Sequence, residues 1–167
     1  MDPQLISFFN AVDVDRSGRI NPTELQQVLQ SSNGRKFSEN ACRLMIGLFD
    51  PGNSGSIDMQ GFSALYAYVN QWLGTFKNFD RNSSGFIDEG ELSQAMGSMG
   101  YRFSPGFVAF LMHKFGEGQF GLPVDGFISA CILIHKFTDG FRKKDTSSSG
   151  MIQISYEDFL QMVLTGC

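Results

Sequence analysis

Two histidines, three cysteines and one tryptophan are all that this 167-residue chain offers of three residue types from which many active sites are built. His113 and His135 stand in expected helices, with no cysteine or serine nucleophile at a recognisable motif, so the chain is read as a non-enzyme. Cys42, Cys131 and Cys167 are odd in number and lack metal-ligand spacing, and are read as reduced thiols of a cytoplasmic protein. Basic charge is short too: 13 Lys and Arg against 17 Asp and Glu leave a net −4, which argues against a nucleic-acid partner. The longest nearly apolar run, Phe127 to Ile134, is far too short to span a bilayer. Met1-Asp-Pro-Gln-Leu-Ile-Ser-Phe-Phe carries an acid where a secretory signal needs basic residues, Asp2 excludes myristoylation, and the final Thr-Gly-Cys is no prenylation box. The sequon Asn82-Ser83-Ser84 is accordingly expected to stay unmodified.

Phenylalanine, by contrast, occurs 17 times, and 42% of the residues are hydrophobic, enough for the core of one domain spanning 1–167. Many of the acids fall in short runs with glycine. Asp80-Arg-Asn82-Ser-Ser84-Gly85-Phe86-Ile87-Asp88-Glu-Gly-Glu91 matches the twelve-residue EF-hand calcium loop at every position but one. In that loop, oxygens at positions 1, 3, 5, 7, 9 and 12 surround one hard cation, position 7 through its backbone carbonyl and position 12 through a bidentate Glu, with Gly at 6 making the turn. The expected ligands are Asp80, Asn82, Ser84, the carbonyl of Phe86 and Glu91, with Asp88 at position 9. Ser84 is the departure, since a hydroxyl is a weaker ligand than a carboxylate. The pattern recurs at 13–24, where Asp13, Asp15, Ser17, the carbonyl of Arg19 and Glu24 are the expected ligands.

Three degenerate copies complete a repeat series. A loop at 50–61 keeps Asp50, Gly55 and Ile57 but has Gly52 at position 3 and Gly61 at position 12, so it lacks the closing carboxylate. A loop at 116–126 is one residue short and spells Gly-x-Gly-x-x-Gly over 116–121. A dinucleotide-binding reading fails there, because His113-Lys-Phe115 ends a helix rather than a strand and Leu122-Pro123 cannot properly open one. The last loop, from Asp145, closes on Tyr156 if counted as twelve residues, or on Asp158 if counted as fourteen (145–158); hydroxyls replace carboxylates at its positions 3 and 5. These are loops 1 to 5 in chain order.

Loops 2 and 3 are joined only by Phe62 to Phe79, whose apolar positions follow a helical period, so one helix leaves loop 2 and enters loop 3. Phe127 to Lys144 does the same between loops 4 and 5; Ile128 and Ile132 lie off its main apolar face, which predicts a helix covered on more than one side. The other connections are broken at Ser31-Ser-Asn33-Gly34 and Gly97 to Gly100, with Ser38 and Ser104 as N-caps for helices from Glu39 to Phe49 and from Pro105. The predicted fold is all-α, eight helices, with short antiparallel β bridges pairing loop 1 with loop 2 and loop 3 with loop 4 through the residues at position 8. Loop 5 is left without a partner, and the apolar helix after it (Tyr156, Phe159, Leu160, Val163, Leu164) predicts association with another chain.

Five such loops with shared long helices, together with Gly61-Phe-Ser-Ala-Leu65, Met99-Gly-Tyr-Arg-Phe-Ser-Pro105 and Phe137-Thr-Asp-Gly-Phe-Arg-Lys-Lys-Asp-Thr146, resemble the penta-EF-hand family over essentially the whole length. The resemblance implies a cytosolic protein that dimerises through its fifth hand, as a homodimer or with a paralogue, and moves to membranes or protein targets when calcium rises. Many members carry a long Gly/Pro-rich N-terminal extension, whereas only Met1 to Val12 precede loop 1 here, a departure that puts functions assigned to that extension in doubt.

Two strong Ca2+ sites per chain are expected, in loops 1 and 3, each with three carboxylates: Asp13, Asp15 and Glu24, and Asp80, Asp88 and Glu91. That charge count predicts sensor affinity, on the order of 10⁻⁷ to 10⁻⁵ M. Glu24 or Glu91 is expected to swing in on calcium and carry its helix with it, exposing an apolar groove for which Met96, Met99, Phe103, Phe107 and Phe110 are candidates. The leading expectation is a calcium-switched dimeric adaptor. The alternatives are a cytosolic calcium buffer and the regulatory subunit of a calcium-dependent protease.

Overall fold

A computed structural model of the chain describes residues 3–30 and 34–166. Among the described residues are eight α-helices: α1 (Pro3–Val12), α2 (Pro22–Val28), α3 (Glu39–Leu48), α4 (Met59–Phe79), α5 (Glu89–Ser98), α6 (Pro105–Phe115), α7 (Val124–Lys144) and α8 (Tyr156–Gly166). Two short strands, β1 (Phe86–Ile87) and β2 (Leu122–Pro123), complete the elements, with a 3₁₀ turn at Gly118–Phe120. None of these helices is long and apolar enough to cross a membrane. The Ser31–Asn33 part of the expected break, and Cys167, lie outside the described residues; Gln30 and Lys36 form an isolated antiparallel bridge on either side of that break.

Helix starts follow side-chain caps. Ser38 and Ser104 accept from the amides of Ala41 and Phe107, and Pro105 takes the first helical position, as expected. The shared helix α4 begins three residues earlier than its apolar stripe, because Asp58 caps it by accepting from the Gly61 amide at 2.9 Å. Phe62, Leu65, Val69 and Phe76 are buried on α4, whereas Tyr66, on the same predicted stripe, is exposed. Its ring instead lies edge-on to Phe8 of α1, centroids 5.6 Å apart.

The chain divides into two compact units, 1–129 and 130–167. In the first, the core is built on Phe37, Phe62 and Phe127, with Trp72 and Phe76 each 5.7 Å from Phe127, ring to ring. Loops pair as the position-8 residues predict. Ile20 and Ile57 exchange both backbone hydrogen bonds (2.7 and 3.0 Å), and Ile87 of β1 pairs with Leu122 of β2; all four side chains are buried. Residues 121–130 are buried without exception, so the start of α7 is covered all round, as Ile128 foretold. The second unit holds the rest of α7, loop 5 and α8, where Gly140 lies against Met162. Among the described residues, loop 5 has no bridging partner.

Candidate metal centre

Four of the five loops share one wiring, and it is entirely local. The first Asp accepts the amide of the glycine at position 6 on Oδ2: Gly18 to Asp13 (2.8 Å), Gly55 to Asp50 (2.6 Å), Gly85 to Asp80 (2.9 Å) and Gly150 to Asp145 (2.8 Å). The serine hydroxyl at position 5 donates to the carbonyl at position 7: Ser17 to Arg19, Ser54 to Ser56, Ser84 to Phe86 and Ser149 to Met151 (2.9 to 3.1 Å). Position 4 adopts left-handed backbone in each, at Arg16, Asn53, Ser83 and Ser148 (φ 51° to 57°). For these non-glycine residues that conformation is uncommon, and the carboxylate-to-amide bonds around it hold it in place. Of the four, only Asn53 is a residue type that favours it.

Loop 1 gathers its ligands most completely. Asp13 is buried and receives the Ser17 amide on Oδ1 at 2.9 Å. Glu24, also buried, accepts from the Val14 amide on Oε1 and the Asn21 amide on Oε2, both at 3.0 Å. One carboxylate oxygen from each of Asp13, Asp15 and Glu24 lies within 4.8 Å of the others. Hydrogen bonds from the Ser17 hydroxyl and amide hold the Asp15 carboxyl below the usual carboxylate range. A cluster of acids, two of them buried, with only hydroxyl and carbonyl oxygen beside it is a donor set for a hard cation such as calcium, and has neither the nitrogen nor the sulfur that zinc favours.

In loop 3 the same bonds recur. Ser84 donates its amide to Asp80 (2.9 Å) and Asn82 (3.0 Å), and Glu91 accepts from the Arg81 (3.2 Å) and Asp88 (3.0 Å) amides. Asp88 Oδ1 accepts the Glu91 amide at 2.8 Å and caps α5, forming a capping box with Glu91 as Asn21 does with Glu24 in loop 1. Among the described residues, loop 1 alone brings three acids together. Both closing glutamates reach across their loops, to the amides of Val14 and Arg81.

Loop 2 has the cradle without the clamp. A Cβ at Gly61 would lie 3.0 Å from Ile57 Cβ and 3.2 Å from the Phe49 carbonyl oxygen, leaving little room for a side chain at position 12. In loop 5, Ser155 caps α8 by accepting from the Asp158 amide at 3.1 Å, which puts Asp158 in the helix position that Glu24 and Glu91 hold in theirs. Counted to that helix position, loop 5 is fourteen residues long, 145–158. The Asp158 carboxylate, however, lies 3.8 Å from Lys144 Nζ. Loop 4 departs altogether. Its glycines answer close backbone approaches: a Cβ on Gly116 would meet the Met112 carbonyl, and one on Gly121 (φ 107°) would lie 2.8 Å from the Ile87 carbonyl. Close approach thus accounts for Gly116 and Gly121 of the Gly-x-Gly-x-x-Gly run, while Gly118 takes a left-handed backbone at φ 54°. Glu117 pairs with Arg35, and that hydrogen bond lowers the Glu117 carboxyl below its ordinary range.

Of the groove candidates, Met96 is core, Met99 and Phe103 are half-buried, and Phe107 and Phe110 are exposed. Tyr101, Phe103, Phe107 and Phe110 form a row of rings with successive centroids 5.5, 4.7 and 5.8 Å apart. Beside them, a pocket of about 260 Å³ is lined by Glu89, Gly90 and Ser93 of α5 and by Phe103, Pro105 and Val108. Both histidines are exposed.

Residues 2–67 match the EF-hand domain pair and residues 73–96 an EF hand. Peflin of Xenopus laevis is 44% identical over 99% of this chain and 59% of its own length. Sorcin of Mus musculus is 35% identical over 98% of the chain and 83% of sorcin. A solved structure of a homolog of programmed cell death 6 protein from Leishmania major Friedlin superposes with a TM-score of 0.81 at 27% identity, covering 98% of this chain and 94% of that one. The chain spans roughly three-fifths of the length of the peflins it matches, between 58% and 62%.

Proposed function

The chain belongs to the penta-EF-hand family of calcium-binding proteins, and on that premise we propose that it is a calcium-responsive dimeric adaptor with binding sites in loops 1 and 3. The observation that carries the reading is the three-acid cluster of loop 1, buried at Asp13 and Glu24 and with its ligand oxygens within 4.8 Å of one another. Such a cluster is self-repelling without a cation and strongly attractive to one.

Asp13, Asp15, Ser17, the Arg19 carbonyl and Glu24 would hold calcium in loop 1. Asp80, Asn82, Ser84, the Phe86 carbonyl and Glu91 would hold it in loop 3. The cation supplies a positive charge that both loops lack at their centres. The chain's own part begins at the serines. The Ser17 and Ser84 hydroxyls lie within hydrogen-bond distance of both the first Asp and the position-7 carbonyl of their loops, where a lone pair would be offered to the cation. Glu24 and Glu91 are each bonded to the amide of their helix's N-cap, so any shift of these carboxylates is transmitted to α2 or α5. Helix α5 forms one wall of the pocket beside Phe103, which supports a target surface there.

Dimerisation through the fifth hand is supported by loop 5 lacking a bridging partner among the described residues. It is supported too by the large apolar side chains exposed there: Met151 (77%), Tyr156 (74%) and Leu164 (72%). Calcium-dependent protein targets, movement to membranes and a cytoplasmic location belong to the same proposal. One observation favours a second reading, the buffer: with Glu24 and Glu91 already across their loops, binding would open little. Calcium titration calorimetry combined with sedimentation tests the whole. The adaptor reading expects two sites per chain, a dimer, and greater retention on a hydrophobic column with calcium. Retention unchanged by calcium would establish the buffer instead.

A further inference from the structure

Arg19 lies at position 7 of loop 1, where only its carbonyl is expected to matter. Its side chain leaves loop 1 and crosses to loop 2. There Nη2 donates to Ser54 Oγ at 2.8 Å and to the Ser56 carbonyl at 2.5 Å, while Nε donates to Ser56 Oγ at 2.8 Å. Ser54 Oγ and the Ser56 carbonyl are the oxygens of positions 5 and 7, two of the places from which an EF-hand loop holds its cation. Loop 2 has no carboxylate at positions 3 or 12, and Gly61 leaves little space for one, yet its cradle matches that of loop 1. We propose that the Arg19 guanidinium is a built-in cation for loop 2, holding that loop in the metal-bound type of geometry without metal and fixing the Arg19 carbonyl as a ligand of loop 1.

A planar fork anchored by three hydrogen bonds suits this task better than a lysine, whose point charge cannot reproduce the geometry. The link lies beside the Ile20–Ile57 bridge, so the two loops are joined by backbone and by side chain at adjacent residues. In the other pair, position 7 of loop 3 is Phe86, which meets Phe120 ring to ring at 6.0 Å and offers loop 4 no charge. The calcium affinity of loop 1 thus depends on a side chain that points away from it. Arg19 is a positioning residue in this sense, and the second half of the inference rests on loop 1 binding calcium.

The test uses the full chain with Arg19→Ala, Arg19→Lys and Ser54→Ala. Amide hydrogen exchange in the calcium-free state reads the latch, and calorimetric calcium titration reads its effect on loop 1. Arg19→Ala is expected to speed exchange at Gly55 and Ile57 while leaving Ile87 and Leu122 unchanged, and to weaken loop 1 by about threefold to tenfold. Ser54→Ala, a change confined to loop 2, should weaken loop 1 in the same direction, and Arg19→Lys should not restore it. Wild-type exchange and affinity in Arg19→Ala would overturn the proposal, as would a new calcium site appearing in loop 2, which would make the guanidinium a mere obstruction. If the wild-type heats are insensitive to Glu24→Gln, it is calcium binding by loop 1 that has failed; the exchange data then decide the latch alone.

Discussion

The Ser38 amide donates to the Asp125 carboxylate at 2.9 Å, joining residues 87 apart in sequence. Ser38 caps α3 and Asp125 sits in the first turn of α7, buried to 5% exposure. Three residues before Ser38, Arg35 pairs with Glu117 of loop 4. Two acids around the fourth loop thus hold the segment that leads into α3. Loop 4, the least suited to a cation, has its acids engaged in structure.

Asp125→Ala removes a buried, charged acceptor from the Ser38 amide. Such a loss costs roughly 1–3 kcal/mol. Urea unfolding should show a lower midpoint with an unchanged slope.

Glu24→Gln and Glu91→Gln should each abolish or weaken one calcium site, by about tenfold or more, because the bidentate clamp loses its charge. Loop 1 brings three carboxylates together, whereas in loop 3 Asp88 is turned to its helix. The tighter of two calorimetric heats should therefore vanish in Glu24→Gln and persist in Glu91→Gln.

On α8, Phe159 is a large, 45% exposed apolar side chain. If this helix forms the dimer contact, Phe159→Asp places a charge in a desolvated interface. A hot-spot loss of about 2 kcal/mol raises the dissociation constant roughly thirtyfold. Sedimentation velocity should show monomer at concentrations where the wild type is dimeric.

Burial, followed by the nearby Asp125 and Glu39 charges, pushes the Cys42 thiol up to about 12, and burial pushes Cys131 up as well. Because the folded value exceeds the unfolded value of 9.0, the stabilisation is fully present below pH 9 and is lost as pH rises toward 12. Near pH 8 the thiolate population of Cys42 is roughly a thousandfold lower than in the unfolded chain. Alkylation at that pH, read by peptide mass spectrometry, should leave Cys42 and Cys131 unmodified until urea is added.

Gly121→Ala sets a Cβ 2.8 Å from the Ile87 carbonyl and forces an L-residue into φ 107°. Strain of this kind costs on the order of 1–3 kcal/mol. The β1–β2 pairing should loosen, visible as faster amide exchange at Ile87 and Leu122, with the Ile20–Ile57 bridge unaffected.

Most of the loop architecture was legible from residue order alone, because the bonds that build it are short in sequence. Asp13 meets Gly18, Asn21 meets Glu24 and Asp88 meets Glu91 within five positions, so a correct spelling implies a correct local shape. The same locality explains why loops 2 and 5 keep the bonds among Asp, Ser and Gly at positions 1, 5 and 6 after losing their ligands. The position-8 residues likewise announced the pairing of loops. Other features had no such signature. Asp88 could serve a cation or a helix amide, and its bond to the Glu91 amide is seen only in the fold. The reach of Arg19 to loop 2, the anchoring of Ser38 by Asp125, the burial of Met96 beside the exposure of Phe110, and the reason for Gly121 in loop 4 all depend on which distant segments come together. Those meetings follow from how the helices turn and pack, and residues 37 or 87 positions apart carry no mark of each other until the chain has folded.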